Sequence, residues 1–258
     1  MSNTHFTKLT NGRAVRLDTI ASVAFDDFAK TIIDNTAAGQ RVSAMFGDTA
    51  ESHNNTYLYV VMADDIENQL YAARTLIEGD SFPSLTPHCP QVHLFEREIA
   101  EQFGLKPIGH PWLKPVRYHR SITGRNVWNS NSGQQPLPAV CDFFAVQGED
   151  VHELAVGPVH AGIIEPGHFR FQCCGEQVFH LEIALGFQHR GVEQAMVGSP
   201  NNRSIHYAET LAGDTTIAHT TAYCQLLEAF ANCQKTARAQ TLRGIALELE
   251  RIANHVGD

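Results

Sequence analysis

Fourteen histidines give this chain of 258 residues many side chains that can exchange protons near neutral pH. Eight of them lie beyond residue 150, among them His160, His189 and His219. An imidazole of near-neutral pKa can both form hydrogen bonds and relay protons. His219 follows Asp214 and Thr215 by about one helical turn. These three residues either line a polar pocket or begin a helix, with Asp214 or Thr215 as its N-cap.

The six cysteines indicate reduced thiols rather than a disulfide framework. No two of them are spaced as C-x-x-C, and Cys173 is adjacent to Cys174, which is a poor geometry for a disulfide. Residues 1–16 are polar and lack the apolar stretch of a secretory signal peptide. We therefore predict a cytosolic protein in which Cys173 and Cys174 pack in a core.

The composition indicates a folded protein, and it argues against nucleic-acid binding and against a membrane-spanning segment. Hydrophobic residues make up 43% of the chain and charged residues 18%, which is enough to build a core. The net charge of −9 argues against nucleic acid, whose phosphates need clustered Lys and Arg. No apolar run approaches the roughly 18–20 residues that span a bilayer. A membrane role would therefore depend on partner subunits.

The first part of the chain has the pattern of a small α+β domain with an open mixed sheet. Apolar residues at helical spacing predict a helix over about 22–38, which Gly39 follows. Extended apolar runs predict three strands, over 41–46, 57–62 and 70–77.

A second helix is predicted after Pro90, which suits a first helical position, and Gly104 is expected to end it. Within it, Glu96, Arg97 and Glu98 are expected to form a solvated or salt-bridged surface.

The second part of the chain begins after a polar, turn-rich stretch over about 120–150, which has the composition of a linker. Alternating residues over 168–185 predict a β-hairpin with a turn at Gly175-Glu176. Leu242, Ile245, Leu249 and Ile252 repeat at helical spacing and predict a buried helix face. A hairpin and two helices make a thin domain, so we expect that the natural chain continues or that this half needs a partner.

Two groups of motifs resemble a known family. The first is Phe-Glu-Arg-Glu-Ile-Ala-Glu-Gln-Phe-Gly-Leu over 95–105, followed by Gly-His-Pro over 109–111. This order is similar to the C subunit of respiratory complex I, the NADH:quinone oxidoreductase. The resemblance implies a C-subunit-like domain of the 30 kDa type over 1–120 and a linker over 121–150.

The second group of motifs lies over 157–171, 186–193 and 248–255. It resembles the start of the complex I D subunit and, more closely, the large subunits of formate hydrogenlyase-type (group 4) [NiFe]-hydrogenases. Residues 151–258 would then begin a large-subunit-like helical domain, and fusion of the two parts is itself a feature of that group. The predicted fold class is α+β, with a β-hairpin and helices after the N-terminal domain.

The hydrogenase metal site has been lost from this sequence. In the resembling hydrogenases, two cysteines after H-R-G-x-E hold nickel and iron, because soft thiolates bind these metals strongly. Here Ala212 and Thr215 stand at the ligand positions, and Thr210 replaces the family's arginine. We therefore expect no metal in this chain. The D subunit of complex I also lacks the thiolates, and there the old cavity is the head of a quinone site.

The resemblance implies roles for individual residues. His160 matches the quinone-pocket loop, where it would bond a quinone headgroup or relay protons; otherwise it caps a turn. Glu165 matches a glutamate that passes protons to the hydrogenase metal, which a dry cavity would favour; otherwise it is a surface acid. His189, Arg190 and Glu193 resemble a segment beside an iron–sulfur subunit; otherwise they are an interface or packing motif.

The expected function is that of a peripheral-arm subunit in a membrane-associated, energy-converting oxidoreductase, on the cytoplasmic side. The chain would bind no cofactor itself. A [4Fe–4S] cluster would lie in a small partner subunit, and a quinone or another acceptor would bind near Asp214, Thr215 and His219. Membrane ion-translocating subunits would be further partners, and nucleic acid would not. The alternative is a non-catalytic scaffold or assembly subunit that kept the fold and lost the chemistry.

Overall fold

A computed structural model describes residues 5–49, 55–125, 127–128, 143–162, 164–198 and 200–257. It separates into two compact units, one of Met1–Lys8 with Ile20–His189 and one of Leu9–Thr19 with Arg190–Asp258. Helices and strands are mixed along the chain, so the predicted α+β class is confirmed. The proposed domain limits near 120 and 150 stay predictions, and much of the predicted linker, residues 126 and 129–142, lies outside the described residues.

The main sheet of the first unit is mixed, as predicted. Its path runs β1-β5-β4-β3, and β2 pairs in parallel with β5. The strands are β1 (Thr7–Leu9), β2 (Ala21–Ser22), β3 (Arg41–Thr49), β4 (Asn55–Asp64) and β5 (Gln69–Glu78). The β4–β5 turn is held by the Asp64 carboxylate, which accepts from the backbone N–H groups of Ile66 and Glu67 at 3.1 and 2.9 Å.

Two helices complete the first core. Helix α1 (Phe25–Ala37) buries Phe28 and Ile32, and α2 (His93–Phe103) buries Ile99 and Phe103 among residues of the sheet. Pro90 lies in a short 3-10 turn just before α2. Gly104 ends α2 at φ 66°, a left-handed conformation that glycine adopts without strain, so its predicted role is confirmed.

The charged residues of α2 do not form the solvated surface that was expected. Glu96 is 0% exposed and Arg97 is 7% exposed, so that expectation was wrong for both. Glu96 accepts from Ser84 Oγ, Leu85 N and Thr86 Oγ1, each at 2.6 Å. Arg97 donates to the carbonyls of Lys114 and Pro115, at 2.8 and 3.0 Å, so both side chains fasten neighbouring loops to the helix.

His110 lies buried beside Glu96, with Nε2 4.0 Å from the carboxylate. Its Nδ1 accepts from the backbone N–H of Trp112 at 3.0 Å, so the neutral ring carries its proton on Nε2. That nitrogen donates to the His93 carbonyl at 3.2 Å. A second proton would have to enter at Nδ1 and would remove the bond from Trp112.

We expect acidification to destabilise the fold through His93 and His110. Desolvation lowers the pKa of both imidazoles below the ordinary value of 6.5, and the cationic Arg97 lowers both further. Between that value and the folded-state pKa, the unfolded chain binds more protons than the folded one. The contribution of the two neutral histidines to the free energy of unfolding is therefore complete above about pH 6.5. It is lost as the pH falls through their lower folded-state pKa.

Urea unfolding at a series of pH values between about 7.5 and 5 measures the slope of the free energy of unfolding against pH. His110→Gln keeps a donor and an acceptor but does not titrate, so it should flatten the slope. An equally steep slope in the variant would contradict the assignment.

A second, antiparallel sheet in the first unit contains the predicted hairpin. Its order is β10-β9-β8, with β8 (Val151–Val156), β9 (His168–Cys174) and β10 (Gln177–Ala184). Short β6 (Ser81–Pro83) and β7 (Lys106–Ile108) pair in parallel elsewhere. Cys173 is 7% exposed, which confirms its predicted packing, and Cys174 is half-buried.

The second unit is helical. It contains α3 (Val192–Ala195), α4 (Ser204–Glu209), α5 (Thr216–Phe230) and α6 (Ala237–Gly257). The apolar stripe on α6 exists but was wrongly expected to be buried. Between half and two-thirds of each of its side chains is exposed: Leu242, Ile245, Leu249 and Ile252. None of the described helices is long and apolar enough to cross a membrane.

Candidate functional site

His160 lies in the loop that joins β8 to β9. Its Nε2–H donates to the carbonyl of Gly167 at 2.8 Å, and its ring meets the edge of Phe169 at a centroid distance of 5.9 Å. This bond fixes the ring orientation and leaves Nδ1 as the acceptor of the neutral tautomer. The side chain is half-buried. His160 therefore holds the loop closed, and the contacts among the described residues leave one ring nitrogen for a further hydrogen bond.

Gly157 makes this closure possible. Its φ is +84°, and a Cβ there would lie 2.1 Å from the Gly167 oxygen and 2.8 Å from His160 Nε2. Only glycine fits between these two groups. Glu165 belongs to the same loop but is exposed, so the described residues do not enclose it in the dry cavity that was expected.

His189 is brought against His119, a residue that the sequence motifs did not single out. His189 Nδ1 lies 2.6 Å from His119 Nε2, and the ring centroids are 4.2 Å apart. One nitrogen of such a pair must carry the proton and the other must accept it. The hydrogen bond therefore couples the tautomer of one ring to that of the other. The two histidines are 70 residues apart in sequence, and helical or strand periodicity carries no signal for such a contact.

In the second unit, Arg190 donates to the backbone carbonyl of Thr210. Thr210 ends α4, and it stands where the resembling hydrogenases have their arginine. Glu193 is exposed in the first turn of α3. The H-R-G-x-E motif thus fastens the segment that precedes the old metal-ligand positions.

Asp214, Thr215 and His219 lie together at the start of α5. Thr215 Oγ1 and the Thr215 carbonyl are 2.8 and 2.9 Å from His219 Nδ1. Asp214 is exposed, and its carbonyl accepts from Asn254 Nδ2 at 2.7 Å. Thr215 occupies the N-cap position without a capping bond from its own side chain, so the expectation that it caps the helix was wrong.

The N-terminus of α5 is capped from α6 instead. The Glu250 carboxylate accepts from the backbone N–H groups of Ile217 and Ala218, at 2.5 and 3.1 Å. Glu250 and Asn254 belong to the E-L-E-R-I-x-x-H motif over 248–255. The sequence indicated this motif but not its structural role, which is to fix the turn that carries Asp214 and Thr215.

Comparisons with known proteins find similar sequences for both parts of the chain. Residues 5–126 match the family described as respiratory-chain NADH dehydrogenase, 30 Kd subunit. The chain is 29% identical over 230 residues to hydrogenase-4 component G of Escherichia coli, a match that covers 82% of this chain and 40% of that protein. It is 28% identical over 232 residues to formate hydrogenlyase subunit 5 of the same species, covering 84% and 41%.

The C/D subunit of the NADH-quinone oxidoreductase of Bdellovibrio bacteriovorus is 25% identical over 189 residues, covering 69% of this chain and 34% of the relative. The chain is therefore similar both to NADH-quinone oxidoreductase C/D subunits and to hydrogenase subunits. It spans about two-fifths of the length of the two Escherichia coli relatives.

The residues of this chain do not fit the nickel–iron centre that the resemblance to hydrogenases implies. Ala212 has no donor atom, and the hydroxyl of Thr215 is engaged by His219. Neither offers the soft anionic sulfur that this centre needs. Within the described parts of the chain, no three His, Cys, Asp or Glu side chains cluster closely enough to hold a metal ion.

We expect Glu250→Ala to lower the free energy of unfolding of the second unit by about 1–2 kcal/mol, because it removes the acceptor for two helix N–H groups. Glu248→Ala is the matched control, because Glu248 lies on the same helix and pairs only with the exposed Arg251 among the contacts described. The control should change stability by about 0.5 kcal/mol or less. Urea unfolding followed by circular dichroism compares the two, and equal losses would contradict the capping role.

Proposed function

We propose that this chain is a peripheral-arm subunit of a membrane-associated, energy-converting oxidoreductase and that it helps to form the electron-acceptor site. The observation that carries the proposal is the ordered match of both parts to fused C/D-type subunits, with Ala212 and Thr215 at the two thiolate positions. The names of the relatives include a hydrogenlyase subunit, a membrane-bound hydrogenase subunit and NADH-quinone oxidoreductase subunits. Loss of the two thiolates favours quinone reduction over the production or oxidation of hydrogen.

The chemistry available to this chain is proton transfer and hydrogen bonding. In the first unit, His160 presents Nδ1 while Nε2 is held by Gly167. In the second unit, Thr215 and His219 form a hydrogen-bonded pair at the start of α5. A quinone takes up two protons for two electrons, so each of these groups suits hydrogen bonding and proton transfer to a carbonyl-bearing acceptor.

Exposed apolar faces on each unit support membership of a larger complex. On the β8–β10 sheet, Leu154 and Leu181 flank Phe171, and Val156 and Ile183 flank Phe169, on one face. Leu154, Val156, Leu181 and Ile183 are 38–53% exposed. Contiguous apolar surface of this kind marks protein interfaces. We assign these faces to an iron–sulfur subunit and other peripheral-arm partners, with the membrane subunits joined through the complex on the cytoplasmic side.

The test is electron transfer to a soluble quinone analogue by the complete purified complex that carries His160→Ala or Asp214→Ala. We expect His160→Ala to lower turnover by about tenfold or more, since a positioned proton donor or acceptor commonly contributes at least that factor. Exposed His88, which lies outside the β8–β10 sheet, supplies the control variant His88→Ala, which should leave turnover unchanged. Wild-type turnover in both site variants would end the acceptor-site proposal. Stoichiometric nickel in the complex would overturn the assignment of the lost metal site.

A scaffold role is the second candidate, and one observation favours it. Thr215 and His219 are bonded to each other, and in the described part of the chain the Glu250 and Asn254 side chains bond to backbone groups at the start of α5. Such a region is built to be rigid whether or not anything binds there. A complex that loses assembly in Glu250→Ala, while His160→Ala keeps full turnover, would support the scaffold role.

A further inference from the structure

A cleft in the first unit lies apart from the residues of the candidate functional site. It has a volume of about 560 Å³, and it lies between the segment that follows β7 and the strand β10. Sites for small molecules usually have volumes of roughly 300–1,000 Å³. Its lining includes the rings of Trp112, Phe143, Phe144 and His180 and, among the described residues, one cation and one carboxylate, Lys114 and Glu182.

The two charged residues of the lining neutralise each other. Lys114 forms an ion pair with Glu182, whose side chain is 5% exposed. The Glu182 carboxylate also accepts from the backbone N–H of Phe144 at 2.7 Å. The described part of the cleft therefore offers no uncompensated charge, and a charged group that entered it would lose hydration without gaining a partner. This favours an uncharged ligand.

Phe144 supplies an aromatic surface on which a ligand can stack. It is 51% exposed, and its ring centroid lies 4.3 Å from that of His180. The ring of Trp112, by contrast, already lies 5.3 Å from the Arg97 guanidinium and 5.6 Å from the Lys114 ammonium. A flat ring against Phe144 would bury apolar surface and would gain the additional energy of an aromatic pair. This favours a planar aromatic ligand over an aliphatic one.

A β-bulge places His180 on the cleft. The register of β10 against β9 shifts between Val178 and His180, so Phe179 is the extra residue and His180 lies opposite Gln172. Bulges re-aim side chains and are frequent beside functional sites. Among the described residues, the His180 ring is in contact with Phe144 but has no hydrogen-bond partner. An uncharged imidazole has one donor and one acceptor nitrogen, so His180 can bond to a hydroxyl or carbonyl group of a ligand.

We infer that this cleft binds an uncharged, planar aromatic molecule that carries a hydroxyl or carbonyl group. The ring stacks on Phe144, and the polar group forms a hydrogen bond with His180. The inference does not rest on the proposed function, because neither His160 nor any residue of the second unit takes part.

Isothermal titration of the 258-residue chain with four compounds tests each element of this recognition. At about pH 7, where a phenolic hydroxyl keeps its proton, 2-naphthol has the flat ring, the hydroxyl and no charge. Decahydro-2-naphthol has the hydroxyl on rings that are neither flat nor aromatic, 2-methylnaphthalene has the flat ring alone, and 2-naphthoate carries a charge in place of the hydroxyl. We expect 2-naphthol to bind at one site per chain, and each of the other three to bind about tenfold more weakly or worse.

Each comparison can contradict one element of the inference. Decahydro-2-naphthol that bound as tightly as 2-naphthol would overturn the aromatic requirement. Equal binding of 2-methylnaphthalene would overturn the hydrogen bond, and equal binding of 2-naphthoate would overturn the preference for an uncharged ligand. If 2-naphthol shows no saturable binding, the site itself is refuted.

Variants locate the bound compound. Phe144→Leu should weaken 2-naphthol binding by about tenfold, because it keeps an apolar side chain but removes the stacking surface. Phe179→Leu is the matched control and should bind as the wild type does. Phe179 lies on β10 with a similar exposure, 53%, and does not line the cleft.

His180→Phe tests the hydrogen bond separately, because it keeps a ring and removes both nitrogens. It should weaken 2-naphthol binding by about tenfold and leave 2-methylnaphthalene binding unchanged. Circular dichroism spectra that match the wild type show that each variant is folded. Unchanged 2-naphthol binding in Phe144→Leu and His180→Phe, or an equal loss in Phe179→Leu, would place the ligand elsewhere and refute the cleft.

Discussion

Replacing Glu96 by alanine should lower the free energy of unfolding by about 3–5 kcal/mol, the cost typical of uncoupling a fully buried charged group from its partners. Glu96 is 0% exposed and accepts three bonds of 2.6 Å from Ser84, Leu85 and Thr86. Alanine would leave the Leu85 N–H and the Thr86 hydroxyl buried without an acceptor and would open a cavity. Folded domains are stable by only about 5–15 kcal/mol, so much of the stability would be lost.

Glu98→Ala is the control for this experiment, because Glu98 lies on the same helix with a side chain that is 20% exposed. It forms an ion pair with Arg117 at 2.9 Å. We expect that variant to lose less, about 1–2 kcal/mol, because its ion pair is partly exposed on both sides. Chemical denaturation of both, compared with the wild type, measures the difference. A Glu96→Ala loss no larger than that of Glu98→Ala would show that the loop bonds to Glu96 contribute little.

The Glu96 result also shows where reading a sequence by residue polarity fails. Glu96, Arg97 and Glu98 are consecutive charged residues, a pattern typical of a solvated helix face. The acceptors and donors that make burial of Glu96 and Arg97 possible come from residues 84–86 and 114–115. They are backbone groups and small hydroxyl residues of loops. Local periodicity carries no information about such partners.

The elements themselves followed from local patterns. Helix α1, strands β3, β4 and β5, the β9–β10 hairpin and the end of α2 at Gly104 all lie close to their predicted positions. Each is defined by apolar spacing or by one special residue within a few positions. The stripe on α6 was identified by the same spacing, but periodicity shows only that a face is apolar. Whether Leu249 or Ile252 is covered depends on what packs there, and both are more than half exposed.

The candidate site was predictable only as a set of motifs. Long ordered motifs indicated His160, His189, Arg190 and the Asp214–His219 segment, and the comparisons support the family. The partnerships were not predictable, because they join residues far apart in sequence. His119 meets His189, and Glu250 caps a helix by bonding to a residue 33 positions before it. Such contacts depend on how loops and helices pack, and a single sequence records this only indirectly.

The second large effect is expected at the ion pair between Lys114 and Glu182. It joins the segment after β7 to the strand β10, and the Glu182 carboxylate also accepts from the Phe144 N–H at 2.7 Å. Glu182→Ala should lower the free energy of unfolding by about 2–4 kcal/mol, because it strands a mostly buried ammonium. The value lies toward the lower end for buried pairs, since 20% of the Lys114 side chain is exposed.

A double-mutant cycle with Lys114→Met and Glu182→Leu tests whether this loss comes from the pair. Each single variant leaves one charge without its partner, whereas the double variant has neither charge and keeps apolar volume. We expect the double variant to be more stable than the sum of the single losses by about 1–3 kcal/mol.

The double variant should still be less stable than the wild type, because the Phe144 N–H loses its acceptor once Glu182 is leucine. The exposed pair Lys30–Asp34 on α1 supplies the comparison. Its cycle should give a coupling of about 0.5 kcal/mol or less. An equally small Lys114–Glu182 coupling would show that this ion pair contributes little to holding β10 against the segment after β7.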